Sequence, residues 1–130
     1  MRNVYIVDNY QFVHNNLHFS LNENENRIQI QPAGQLLADS DNLAFVYLLE
    51  EGEGYSYLHL PQQLWPQLVE LLKLNRNPYL LINNNPVELT NFTDELQMLV
   101  FNIEGNDNYG TDFVEAVEKA FTEILRGEGY

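Results

Sequence analysis

The sequence predicts an α+β domain: an antiparallel sheet of about five to seven strands carrying roughly three helices, packed mainly on one face. Three observations support this. Apolar residues in the first half come in short alternating or continuous runs, and in the second half they recur at a spacing near 3.6. Two apolar runs, Leu43–Leu49 and Tyr55–Leu60, flank the acidic connector Glu50-Glu51-Gly52-Glu53-Gly54 as the strands of a hairpin would. With 130 residues, 45% of them hydrophobic and no repeat or linker, the chain has the material for one core, so residues 1–130 are read as a single acidic domain.

The hairpin is the organising element. A three-residue loop Glu50-Glu51-Gly52, with Gly52 left-handed, pairs Tyr47 with Tyr55 and Phe45 with Tyr57. In that register one face is aromatic, formed by Phe45, Tyr47, Tyr55 and Tyr57 with His59, and the other is aliphatic. A loop ending at Gly54 shifts the pairing by an odd step and mixes the two sets. Because Leu43–Leu49 is apolar on both faces, its strand is expected in the sheet interior.

Before the hairpin, Val4–Val7, Leu17–Leu21 and Arg27–Gln31 read as a three-stranded meander, with a polar turn over Asn22–Asn26. Pro32-Ala33-Gly34 ends it, and Gln35–Ala38 is read as a short helical turn. After Leu60, residues Leu64, Trp65, Leu68, Leu71 and Leu72 fall on one helical face, with the helix starting near Gln63 and Pro66 in its first turn. Asn75-Arg76-Asn77-Pro78 stops that helix. Tyr79–Ile82 is a short strand, and Asn84-Asn85 turns the chain into Val87–Leu89. Thr90 or Asn91 offers a side-chain oxygen to cap the next helix, marked by Phe92, Leu96, Leu99 and Ile103 and ended by Gly105. Phe113, Val117, Phe121 and Ile124 mark a last helix, and Gly127–Tyr130 is a frayed tail.

Composition narrows the function classes. Nineteen acidic residues against six basic ones give a formal net charge of −13, and no two basic residues are adjacent. Binding phosphates requires clustered lysine or arginine, so direct nucleic-acid binding and attachment to an anionic membrane are not expected. The absence of cysteine rules out disulfides and thiolate metal sites and fits a cytoplasmic protein. The N-terminal apolar run is interrupted at Asp8-Asn9, and no run approaches the ~20 residues of a membrane-spanning helix.

Several segments resemble a known family: Gly34 to Phe45, Tyr55-Ser56-Tyr57-Leu58 with Trp65, and Asn102 to Gly110 leading into Phe113-Val114. They are similar to the small YjbL-type family of uncharacterised proteins of Gram-positive, Bacillus- and Staphylococcus-like bacteria. The resemblance runs from about Gly34 to Leu125 and implies a bacterial cytosolic origin. It favours the three-residue loop, since relatives keep a glycine matching Gly52 but not Gly54. It brings no activity, cofactor or catalytic residue.

The chain offers little for catalysis. Ser20, Ser40 and Ser56 have no recognisable partner histidine, and phosphate-binding glycine motifs are absent. His14 and His18, on one extended segment, would lie about 13 Å apart, too far to share a metal. Asp39-Ser40-Asp41-Asn42 opens like a calcium loop, but Leu43 and Ala44 stand where an oxygen ligand and a glycine belong. It is read as a turn held by aspartate side chains. No cofactor or metal is assigned, and an enzyme is not the expected class.

The expectation is a small protein-interaction module, of adaptor, inhibitor or immunity type, that binds a basic protein. Its candidate surfaces are Tyr47, Tyr55, Tyr57 and His59 on the hairpin, and two polar loops, Asp39, Asp41 and Asn42 with Asn106, Asp107, Asn108 and Tyr109. One alternative is a small-ligand or metal site between those loops, should they meet. Another is a homodimer through the hairpin face.

Overall fold

The hairpin closes more tightly than the sequence suggested. In the computed structural model, which describes residues 3–21, 30–82 and 85–127, the strands β4 (Ala44–Glu51) and β5 (Gly54–Pro61) are joined by Gly52-Glu53 alone, with Gly52 at φ +61°. The three-residue loop is therefore corrected to a two-residue one. Pairing runs Glu51 with Gly54, Leu49 with Ser56, Tyr47 with Leu58 and Phe45 with Leu60. This differs from the expected register by an odd step, which turns one strand over relative to the other. Phe45, Tyr47 and Leu49 now share a face with Leu58 and Leu60, and all five are buried. Grouping the largest side chains under the helices removes more apolar area from water than separating aromatic from aliphatic residues would.

Among the described residues the sheet has seven strands in the order β3-β4-β5-β1-β2-β6-β7, where β1 is Asn3–Val13, β2 Asn16–Leu21, β3 Ile30–Asp39, β6 Tyr79–Ile82 and β7 Asn85–Glu88. It is mixed rather than antiparallel. Neighbours β5 and β1 run parallel, as do β2 and β6, while the other pairs are antiparallel. Parallel neighbours need long crossovers, and here the crossovers are supplied by whole hairpins and helices, which strand periodicity does not reveal. β4 is interior, as its two apolar faces predicted.

The N-terminal third departs from a meander. β1 is longer than Val4–Val7 and returns into β2 through His14-Asn15, both with positive φ. The histidines are thus on a turn and a strand rather than on one extended segment. Ile30 and Gln31 belong to β3, which pairs with β4 at the far edge of the sheet and not with β2. The expected turn at Asn22–Asn26, the start of the third strand and Asn84 lie outside the described residues, as does the tail beyond Gly127.

Pro32-Ala33-Gly34 and Gln35–Ala38 are likewise corrected. They form an irregularity within β3, where the register slips between Pro32 and Leu36, followed by a regular strand rather than a helical turn. Gly34, at φ +75°, makes the slip possible, and a Cβ there would approach Asn91 Nδ2 at 3.1 Å. The Tyr47 hydroxyl accepts from the Gly34 N–H (3.2 Å) and donates to the Thr90 carbonyl (2.7 Å), tying β3 to the segment after β7. Both sheet edges are protected. The Leu36 N–H on β3 donates to Glu95 Oε1 at 3.1 Å, and β7 carries Pro86.

The described residues then form four helices: α1 (Trp65–Leu74), α2 (Phe92–Ile103), α3 (Thr111–Ala120) and α4 (Thr122–Leu125). A 3-10 turn at Gln62–Leu64 leads into α1, with Pro66 in the first turn as predicted, where no backbone donor is lost. Asn91 precedes α2 in a left-handed conformation, and its side chain does not cap the helix. The cap comes from elsewhere: the Thr93 N–H donates to Asn77 Oδ1 (3.0 Å), and Thr93 Oγ1 donates to the Arg76 carbonyl (2.7 Å). The single last helix breaks at Phe121 into α3 and α4. Thr122 Oγ1 donates there to the carbonyls of Glu118 and Lys119. The predicted face survives the break, since Phe113, Val117, Phe121 and Ile124 are all buried.

The helices cover the inner sheet face. Phe45 lies 5.4 Å from Trp65 and 6.0 Å from both Phe113 and Phe121 between ring centroids, and Tyr47 stacks on Phe92 at 5.6 Å. No helix is long and apolar enough to cross a membrane among the described residues.

Candidate functional site

The register of the hairpin decides which side chains are available to a partner. Tyr47, expected beside Tyr55 and Tyr57, is fully buried on the inner face, which removes it from the candidate surface. Burial raises its hydroxyl pKa above the ordinary value of 10.0, with the hydrogen bonds to Thr90 and Gly34 acting in the opposite direction. Tyr55, Tyr57 and His59 do share the outer face, where they pair with Glu50, Leu48 and Val46 respectively. Tyr55 is exposed, and Tyr57 and His59 are half-buried.

Parallel pairing with β1 extends that face. Val4 lies beside Tyr57 and Ile6 beside His59, while on the other flank Leu37 of β3 pairs with Val46. Ile6 is 56% exposed, Tyr55 55%, Val4 43% and Leu37 37%. The result is an apolar stripe across four strands. Val4, Ile6 and Leu37 were not singled out from the sequence. The apolar run Val4–Val7 was visible as a strand, but nothing in it showed that β1 enters the sheet beside β5.

Charge surrounds this stripe unevenly. Glu50 and Glu53 stand at the hairpin end, and Asp8 and Asp39 at the opposite end of the same strands. The basic residues that the structure describes, Lys73, Arg76, Lys119 and Arg126, lie on or just after the helices, behind the sheet. Lys73 is engaged there by the carboxylates of Glu123 and Glu70. The hydrogen bond to Glu123 is the main reason its pKa is raised.

The two polar loops do meet. Ser40, Asp41 and Leu43 form one wall of an open cleft of about 380 Å³, and Tyr109, Thr111 and Asp112 form the other. Asp39, by contrast, turns to accept from Asn42 Nδ2 at 2.9 Å, and Asn42 borders a neighbouring depression with Pro61 and Gln62. Asn106 is occupied with its own loop, accepting from the Asn108 N–H (3.1 Å) and donating to the Asn102 carbonyl (3.2 Å). Asp107 and Asn108 are exposed beside the cleft rather than in it. The Tyr109 ring lies 6.2 Å from Phe113 and its hydroxyl accepts from Asn102 Nδ2 (2.9 Å), which fixes that wall.

The chemistry of the cleft is anionic. Asp112 sits in the first turn of α3, where it complements the exposed helix amides, and Asp41 faces it across the opening. A phosphate is repelled there and a cationic group is favoured. Among the described residues, no three histidine or acidic side chains converge as metal ligands would.

A family model described as a family of unknown function, UPF0738, matches residues 5–121. A UPF0738 protein of Lysinibacillus sphaericus is 53% identical over 125 residues, covering 96% of this chain and 98% of that protein. One from Staphylococcus epidermidis is 49% identical over 92 residues, covering 71% of this chain and 76% of the relative. One from Staphylococcus aureus is 44% identical over the same length and coverage. No solved structure matches the chain. The kinship expected with uncharacterised proteins of Gram-positive bacteria holds at this level: the chain belongs to the UPF0738 family.

Proposed function

We propose that this protein is a cytoplasmic protein-interaction module whose partner is a basic protein, and that within its family it is of the YjbL type. The observation that carries the reading is that no basic residue among the described ones borders the outer sheet face or the cleft. The described basic residues lie with the helices, whereas Asp8, Asp39, Glu50 and Glu53 border the outer sheet face and Asp41 and Asp112 face each other across the cleft. Fields of one sign steer an oppositely charged partner and fix its orientation, and they weaken as salt screens them.

Affinity capture from a lysate of the producing organism, at low and high salt, tests this. A single basic protein enriched at low salt and lost at high salt is the expected result. Recovery of no such protein by a preparation shown to be folded would contradict it.

A further inference from the structure

We infer that the outer face of β1, β4 and β5, with Leu37 of β3, docks a surface of the basic partner that is apolar at its centre and positively charged at its edges. This rests on the reading above and specifies the surface and the partner's chemistry. The helices pack through Phe45, Tyr47, Leu58 and Leu60, so the opposite side chains of the same strands are left facing outward. Val46, paired with Leu37 and His59 on this outer face, is buried yet stands apart from the cluster packed under the helices.

Ile6, Val4, Leu37 and Tyr55 expose apolar area in a contiguous stripe of the kind that marks an interaction site, and Tyr55 adds a hydroxyl to a large ring. Among the described residues the stripe holds no Asp, Glu, Lys or Arg between its two ends, and His59 lies within it between Val46 and Ile6. Glu50 and Glu53 bound one end and Asp8 and Asp39 the other, so a partner with aliphatic side chains between lysines or arginines complements both parts. A second copy of this chain fits poorly, since both ends of the face are acidic and a two-fold pairing sets like charges against each other.

The test uses a synthetic peptide of alternating lysine and leucine with one tryptophan, and two controls: glutamate in place of lysine, and serine in place of leucine. Amide chemical shifts of the full chain are followed during titration. The lysine–leucine peptide is expected to shift amides of β1, β4 and β5 at low salt and to lose affinity at high salt. Both controls should bind more weakly. The double variant Ile6→Ser/Tyr55→Ala, at exposed positions that leave the fold intact, is expected to weaken binding at least about fivefold. Salt-sensitive binding that shifts the Asp41–Asp112 cleft or the helices instead, unaffected by the double variant, would overturn this surface while leaving the basic-partner reading standing. Failure of the lysine peptide to outbind the glutamate peptide would remove both. A concentration-dependent dimer in sedimentation, with the same outer-face amides shifting in the unliganded protein, would assign the face to a second copy.

Discussion

Replacing Phe45 by alanine is expected to destabilise the fold by about 3–5 kcal/mol, the range for removing a buried phenylalanine from a packed core. Its ring touches Trp65 from α1, Phe113 from α3 and Phe121 at the start of α4, so the deletion leaves a cavity at a four-way junction. Trp65 and Phe113 already pack against each other at 6.0 Å, and neither can move into the space without leaving its own neighbours. Against a total stability of about 5–15 kcal/mol, such a loss leaves the variant close to unfolding at ordinary temperature. Tyr55→Ala, on the outer face of the same hairpin, should change stability by no more than about 0.5 kcal/mol. Urea denaturation of both variants checks the contrast. A cost below about 1 kcal/mol for Phe45→Ala would place the ring outside the core.

The second large effect is at Tyr47. Its ring stays useful as phenylalanine, stacked on Phe92, but the hydroxyl joins the Gly34 N–H to the Thr90 carbonyl, and Tyr47→Phe leaves both groups without that partner. The expected loss at neutral pH is about 1–3 kcal/mol. A pH dependence accompanies it. Burial holds the Tyr47 proton more tightly in the folded state, so the folded pKa lies above the unfolded one of about 10. That contribution is fully present below pH ~10 and is lost as pH rises through the folded pKa, because the unfolded chain releases the proton first. The stability difference between the native protein and Tyr47→Phe should therefore narrow in alkali. Equal stability at pH 7, or a gap that stays constant to high pH, would show that the hydroxyl is not buried in this bridge.

Much of the fold was legible because each helix announces itself at one period. Leu64, Trp65, Leu68, Leu71 and Leu72 identify the first, and Phe113, Val117, Phe121 and Ile124 mark one buried face even though the chain breaks at Phe121. The register of the central hairpin was not legible. Its connector holds two glycines, and the choice between loops shifts the pairing by an odd step, so that one unit of loop length decides whether Tyr47 faces a partner or the core. Strand direction was equally hidden. Val4-Tyr5-Ile6-Val7 is apolar at every position, which fits any interior strand, and only the three-dimensional pairing places it parallel to β5. The helix cap, expected from Thr90 or Asn91, was misplaced for a related reason. Asn77, sixteen residues from the amide it serves, supplies the acceptor, and local sequence cannot encode a partner that distant.

For the site, the polar loops stand out in the sequence by their concentration of Asp and Asn, but whether they meet is not readable there. Chain order separates Asp41 from Asp112 by most of the molecule, and the packing of Phe113 against Phe45 is what brings α3 beside the turn after β3. The outer stripe was half legible. Tyr55, Tyr57 and His59 alternate visibly, but the contributions of Val4, Ile6 and Leu37 depend on neighbours at least nine residues away in sequence.

Chemical nitration of tyrosines in the native protein, read by mass spectrometry, tests the two-faced hairpin most directly. Tyr55 should be modified readily and Tyr47 protected until the protein unfolds, since one ring is 55% exposed and the other fully buried. Joint modification of Tyr47 and Tyr55 under native conditions would mean that both lie on one open face, and would contradict the register on which the core and the docking surface both depend.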